Sequence, residues 1–366
     1  MTPTAETARI VLLGAGHAHL LAIPRIRRAL PKATIQFVDP SEVATYSGML
    51  PGVLAGHYAL REATIDLAAY AARHGVTVIR ARAVGVGAQE VRLAGNAGGD
   101  RIGFDLLSLD IGSHSGMPEI DGFDRHAVPV KPLDGFMRRM GALPTVGPRP
   151  LRVAVIGGGV AGVEIALALV HRQGAEVCMF ESGPGIARAV CPATASRLTR
   201  ALERAGVRVI ANARVIRITP DGVCQDDGSQ IAADVVIGAA GARAHGWLAA
   251  DLPVDAQGFV VVDPDLQVQG RRGVFAAGDC AAMVHAPRPK AGVFAVRQAP
   301  VLAHNLIASV RGAPLQSFQP QKDYLKLVSL GARLAVAEWR GITVQGRWVW
   351  WLKDRIDTRF MAGLHR

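Results

Sequence analysis

An apolar run at residues 151–156 stops at Gly157-Gly158-Gly159-Val160-Ala161-Gly162, and an apolar helical stretch continues from Val160. Gly157, Gly159 and Gly162 fit the spacing G-x-G-x-x-G between a strand and a helix. The first glycine makes a tight turn and the second lets backbone approach a pyrophosphate. The third lets the helix pack on the strand. The helix N-terminus then offers free N–H groups to the phosphates. Glu181 closes the next predicted strand, where an acid about 20 residues on holds a ribose 2′-hydroxyl. A carboxylate there repels a 2′-phosphate, so NADH is expected over NADPH; Arg188, close by, leaves NADPH open. The competing reading is a glycine turn without ligand, and strand, glycines, helix and acid all in place weigh against it.

A weaker copy stands near the start. Residues 10–13 are apolar and end at Gly14-Ala15-Gly16-His17-Ala18-His19, with Asp39 closing the next strand. His19 replaces the third glycine, so the helix cannot sit as close to its strand, and Pro24 is expected to kink or shorten that helix. A βαβ turn that has lost its ligand is the alternative, and Asp39 argues against it. Further strands are expected near 76–79, 105–110, 207–210 and 235–239, and helices at 65–73 and 196–205. Residues 90–107 read as a meander around a turn at 95–99, and 141–150 as a proline-rich linker. The second half thus repeats the first, which implies two doubly wound units.

At 366 residues the chain exceeds one usual core. With 50% hydrophobic and 19% charged residues it is not a disordered chain. A net charge of +11 favours polyanions, meaning nucleotides, anionic lipid or nucleic acid. No basic run carries interleaved aromatics, so nucleic acid is not expected as a partner. Cys178, Cys191, Cys224 and Cys280 form no C-x-x-C pair, so neither a dithiol centre nor a metal site is expected. Residues 1–9 lack a signal-peptide pattern. The most apolar stretch, 153–170, is broken by glycines and Glu164 and does not read as a membrane span.

Residues 273–279, Gly-Val-Phe-Ala-Ala-Gly-Asp, form a short strand ending in Gly278-Asp279. This segment resembles the second flavin fingerprint of the pyridine nucleotide–disulfide oxidoreductase superfamily. Residues 105–112 (DLLSLDIG) and 234–241 (DVVIGAAG) resemble the strands that close its two nucleotide domains. The likeness spans roughly residues 8–310 and is nearest to type II NADH dehydrogenases and sulfide:quinone reductases. Closest of all is the FAD-dependent dehydrogenase module joined to selenide, water dikinases, on the segments 46–52, 289–298 and 351–357; no kinase sequence follows before Arg366.

The resemblance implies that Gly14, Gly16, Asp39 and Gly112 hold FAD, with His17 and His19 either near the pyrophosphate or satisfied by nearby backbone, and that Gly278 and Asp279 hold the ribityl chain. It implies that the segment from Lys290 to Gln298 points a helix N-terminus at the flavin pyrimidine ring, stabilising the reduced anion. Gly157, Gly159, Gly162 and Glu181 would hold NAD. Glu164 would meet the nicotinamide carboxamide, or else be a solvated helix glutamate. Lys290 and Glu164 are the catalytic candidates. No cysteine precedes Cys178, which excludes the dithiol class. Cys191 and Cys280 are not clearly placed for sulfide chemistry and read better as small buried residues.

On a helix, Trp348, Trp351, Leu352, Ile356 and Phe360 would share one face, and Lys353, Asp354, Arg355, Asp357 and Arg359 fall mostly elsewhere. Such a helix either packs on the protein, forms a dimer contact, or lies in a bilayer interface. The fold class expected is α/β, two Rossmann-like dinucleotide-binding domains of the FAD/NAD(P)-binding type with a short C-terminal α+β cap. The FAD domain would comprise 1–125 and 250–315, the NAD domain 150–249 and the cap 316–366. The expected activity passes hydride from NADH to flavin and electrons onward, to a quinone among the acceptors considered. A sulfide- or selenium-linked flavoenzyme and a non-catalytic flavin-binding partner are the alternatives. The expected setting is cytoplasmic, with membrane contact through 347–361 and a homodimer both left open.

Overall fold

A computed structural model of the chain describes residues 8–95, 100–142 and 149–365. Two five-stranded sheets carry it. In the first, the spatial order is Val274–Ala276, Leu106–Leu109, Arg9–Leu13, Thr34–Val38, Thr77–Ile79. In the second it is Ala127–Pro129, Val235–Gly238, Arg152–Ile156, Glu176–Glu181, Arg208–Ala211. Every pairing in both is parallel. Parallel strands need helical crossovers, which cover both sheet faces, and so their central positions are mostly apolar. Ile10, Val11, Leu12 and Leu13 are accordingly all fully buried. Each unit also carries an antiparallel meander: Ala83–Val86, Glu90–Leu93 and Arg101–Gly103 in one, Val215–Thr219, Gly222–Gln225 and Gln230–Ala232 in the other. Residues 96–99 of the expected turn and 143–148 of the expected linker lie outside the described residues.

The chain leaves the first sheet, builds the second, and returns for Val274–Ala276, which pairs with Leu106–Leu109. Helix Gly292–Arg311 follows and packs along helix His17–Ala29. It has the length and hydropathy of a membrane span, yet Leu302, Ala303 and Leu306 bury it in the core.

Pro24 neither stops nor shortens its helix, which runs unbroken from His17 to Ala29. Proline lacks the N–H that would bond Leu20 carbonyl, and the hydroxyl of buried Tyr70 donates to that oxygen instead. The helix expected at 65–73 begins later, at Leu67–His74, because Thr64–Asp66 pairs as a strand with Val43–Thr45 and the Asp66 carboxylate caps Ala69 N–H at 2.8 Å.

A three-stranded antiparallel sheet (Lys326–Ser329, Ala335–Trp339, Ile342–Gly346) and helix Arg347–His365 form the C-terminal cap. The helix faces inward with Val349, Lys353, Asp357, Met361 and Leu364. The tryptophan face, whose setting the sequence left open, is not the one packed on the protein. Trp348 and Trp351 are 58% and 59% exposed, while two charged residues point into the protein. The inward turn of the charged pair has a cause: Lys353 and Asp357 satisfy each other across one helical turn and meet polar groups beneath them.

Candidate active site

The two glycine motifs occupy equivalent places. Gly157 has a φ of +114°, and a Cβ there would lie 2.7 Å from the backbone of Ala240. Gly14, at φ +92°, would meet the Asp110 carbonyl at 2.5 Å. Both are turns only glycine can make. Gly162 sits so near the strand end that a Cβ would be 2.1 Å from Gly157 oxygen. At the matching place the first motif has His19, and no close approach is needed. Its buried ring bridges helix to sheet, Nδ1 lying 2.8 Å from Gly14 carbonyl and Nε2 2.8 Å from Ser108 Oγ. Burial pushes His19 down to about 4, so the ring is neutral. Both nitrogens are committed, and His19 is not free for a pyrophosphate.

The acids beside the motifs are held alike. Glu181 accepts from Gly158 N–H and Gly183 N–H, each at 2.8 Å. Asp39 accepts from Ala15 N–H at 2.7 Å and Ser41 N–H at 2.8 Å, and burial raises its carboxyl.

Asp279 begins where Val274–Ala276 ends. Its carboxylate accepts from Lys131 Nζ at 2.6 Å and from Ser113 Oγ at 3.1 Å. Lys131 and Ser113 went unnoticed in the sequence because they come from a different part of the chain and match no motif. Lys290 donates to Ala281 carbonyl at 2.6 Å and lies 3.8 Å over the Phe259 ring, and burial lowers its ammonium. Gln298 is buried and accepts from Gly278 N–H at 2.7 Å. Lys290, Gln298, Gly278 and Asp279 line one cleft of about 290 Å³. Gly112, at φ +68°, has open space beside its Cα.

Glu164, on helix Val160–Gln173, is not a solvated glutamate. It accepts from Ser329 N–H of the cap at 2.7 Å, and burial pushes it up to about 7 despite nearby Lys353. Lys353 donates to Gly48 carbonyl and to Asp357, both at 2.5 Å, and Tyr46 hydroxyl donates to Asp357 at 3.0 Å. Half-buried His17 lies with its ring centre 5.4 Å from Tyr46 and 5.7 Å from Phe360. Burial pushes it down to about 4. One face of the C-terminal helix therefore reaches both the first-motif turn and the second-motif helix. Tyr46, Gly48, Lys353 and Asp357 fall in the segments 46–52 and 351–357 that carried the resemblance, but nothing in the sequence paired them.

Cys280 is buried with its thiol directed at the Ala277 and Leu109 carbonyls, and burial pushes it up to about 12. Cys191 precedes helix Pro192–Arg204 and lies 3.3 Å from Thr194 Oγ1 and 3.2 Å from Thr343 Oγ1, against the cap. Among the described residues no group of three or more His, Cys, Asp or Glu is placed to hold a metal ion.

The family model described as pyridine nucleotide-disulphide oxidoreductase matches residues 8–305. The chain belongs to this family. It is an FAD-dependent, NADH dehydrogenase-like oxidoreductase, and the family uses FAD and NAD(P)H in general. A type II NADH:quinone oxidoreductase of Staphylococcus saprophyticus is 21% identical over 97% of this chain and 95% of its own length. An NADH dehydrogenase-like protein of Mycobacterium tuberculosis is 29% identical over 75% of the chain and 73% of its own. Among solved structures, the sulfide:quinone oxidoreductase of Aquifex aeolicus superposes with a TM-score of 0.79 at 17% identity, covering 98% of this chain and 91% of that one. The NDH2 of Plasmodium falciparum in complex with NADH gives 0.80 at 14%, covering 97% and 96%. At those identities the structures speak for the fold.

Proposed function

We propose that this oxidoreductase takes hydride from NADH and passes electrons to a quinone. Gly14, Gly16, Asp39, Gly112, Gly278 and Asp279 would hold FAD, and Gly157, Gly159, Gly162 and Glu181 would hold NADH. The FAD unit comprises residues 1–125 and 250–315, the NADH unit 150–249, and 316–366 the cap. The carrying observation is the duplicated cradle: two parallel sheets, each ending in a glycine turn with a carboxylate fixed by the turn's own N–H. The space left open at Gly159 and Gly112 fits close backbone approach to a dinucleotide. When bound, the flavin accepts hydride and releases electrons singly or in pairs. The residues of this chain do the rest. Glu181, with both oxygens anchored, presents a carboxylate to a ribose diol and repels a 2′-phosphate, which favours NADH over NADPH. Lys290 brings positive charge to the Asp279 cleft. Glu164 carries a proton that can be exchanged near neutral pH beside the second motif.

An exposed apolar face on the cap, suited to a membrane surface, supports a quinone as acceptor. Trp339, Ile342, Val344, Trp348, Trp351 and Ile356 are exposed on the cap, with Arg340 and Arg355 against the Trp339 and Trp351 rings. Indoles with cations suit an anionic bilayer surface. The proposed location is the cytoplasmic face of the membrane.

The deciding experiment adds NADH anaerobically to the purified protein and records the flavin bands. Bleaching by NADH, slow bleaching by NADPH, and recovery on a short-chain quinone are expected. A flavin that NADH leaves oxidised defeats the reading. Vesicles containing anionic lipid should sediment with the protein; a protein that stays free and elutes as a dimer would assign the patch to self-association.

A further inference from the structure

The two cradles of this one chain differ at the point where a diphosphate comes closest. At the second glycine of the second motif, Gly159, an added Cβ would meet nothing within 4 Å. At the second glycine of the first motif, Gly16, it would lie 2.0 to 2.2 Å from the Asp110 carboxyl atoms. A Cβ on Gly278 would also collide with Asp110, at 2.3 Å from Oδ1. The equivalent residue of the second sheet is Ala239: the turn glycines Gly14 and Gly157 abut Asp110-Ile111 and Ala239-Ala240 in the same way. Asp110 is 2% exposed, and its Oδ2 accepts from Ala18 N–H at 2.8 Å and His19 N–H at 3.2 Å. It therefore holds N–H groups of the first helical turn, which would otherwise be offered to phosphate.

The groups facing Asp110 give it no counter-charge. His17 and His19, on its helix side, are neutral. The turn at 278–280 contributes a like charge, Asp279, and the Cys280 thiol. Lys131 is engaged by Asp279, and Lys290 by the Ala281 carbonyl. Among the described residues no cation pairs with Asp110. Resting on the reading that this cradle takes FAD, we propose that Asp110 is the positioning residue of the first cradle, and that the flavin diphosphate binds when Asp110 is protonated. FAD retention is then coupled to uptake of one proton from solvent. An ionised Asp110 would face the diphosphate as a buried like charge. A protonated one keeps its carbonyl oxygen on Ala18 and His19 and gains an O–H to donate. Burial already pushes the carboxyl up to about 7, so the transition falls in the neutral range.

The test is FAD titration of apoprotein, followed by quenching of flavin fluorescence, from about pH 6 to about pH 9. In the wild type the Kd should rise by up to about tenfold per pH unit above neutrality. Asp110→Asn keeps a carbonyl acceptor and carries N–H in place of the acidic proton. Its Kd should stay flat and lie below the wild-type value at alkaline pH. Calorimetry in buffers of different ionisation heat should find about one proton taken up per FAD in the wild type at alkaline pH, and none in the variant. Parallel pH profiles, or a wild type flat across the range, overturn the proposal. If Asp110→Asn does not fold, wild-type proton uptake decides alone, and zero uptake overturns it. Flavin bound without pH dependence defeats this proposal only; flavin bound at no pH defeats the FAD reading as well.

Discussion

Glu181 and His19 show how single side chains divide the work between binding and folding. Glu181 is held by two backbone N–H groups, so its carboxylate cannot swing away from a 2′-phosphate. Glu181→Ala should raise KM for NADH about tenfold or more, the worth of a hydrogen bond to a charged group, and narrow the gap to NADPH. Steady-state kinetics with both nucleotides checks this. His19→Ala leaves Ser108 hydroxyl and Gly14 carbonyl without their partner and opens a buried gap. The expected loss is about 2–4 kcal/mol in denaturant unfolding. The carboxyl of Glu164 gives a pH signature. Its folded value, about 7, lies above its ordinary 4.5, so the folded protein binds the proton more tightly. Stability from this residue is therefore present below about pH 4.5 and lost as the pH rises toward 7. Glu164→Gln should remove that slope; thermal melts of both proteins across this window should converge at acid pH and separate at neutral pH.

Among the elements, helix His17–Ala29 and helix Arg347–His365 mark where sequence patterns were sufficient and where they were not. The strand–glycine–helix–acid order was legible twice, because the buried middles of parallel strands are mostly apolar and their turns demand glycine. Pro24 misled, since the rescue of Leu20 carbonyl comes from Tyr70, fifty positions away in the chain. Tyr70→Phe should cost about 1–2 kcal/mol. It should cost less in a Pro24→Ala background, where the alanine N–H restores the helical bond; a double-mutant cycle measures the difference. The C-terminal helix was left open for a different reason. Periodicity gathers the tryptophans on one face without saying which way it turns, and the inward face is specified by Tyr46 and Gly48, which no local pattern reveals. Lys353→Met should destabilise by about 3–5 kcal/mol by leaving Asp357 buried and unpaired, and Lys353→Met with Asp357→Leu should be milder. Chemical denaturation of the two variants decides it.

At the level of the whole molecule, duplication explains why so much of the fold around the candidate site could be anticipated. A motif read once could be read again, and the second sheet repeats the spatial order of the first, although its edge strand Ala127–Pro129 precedes its other strands in the chain while Val274–Ala276 follows those of the first. Long-range contacts between the copies, such as Lys131 on Asp279, had no such aid. The exposed cap residues belong to this scale too. Replacing Trp348, Trp351 and Ile356 by serine should leave reduction by NADH unchanged and abolish sedimentation with anionic vesicles, and vesicle binding that survives would assign the attachment elsewhere. The cap has one further consequence. Its last helix touches Tyr46 and His17 on one unit and lies beside Glu164 on the other. It therefore adds a tie between the two sheets, beside the shared core and contacts such as Lys131 on Asp279, and would help to hold the two nucleotides proposed to bind there at a fixed distance. Nineteen residues, Arg347–His365, thus brace both proposed binding units at once, and the spacing of a hydride donor from its acceptor would depend on them.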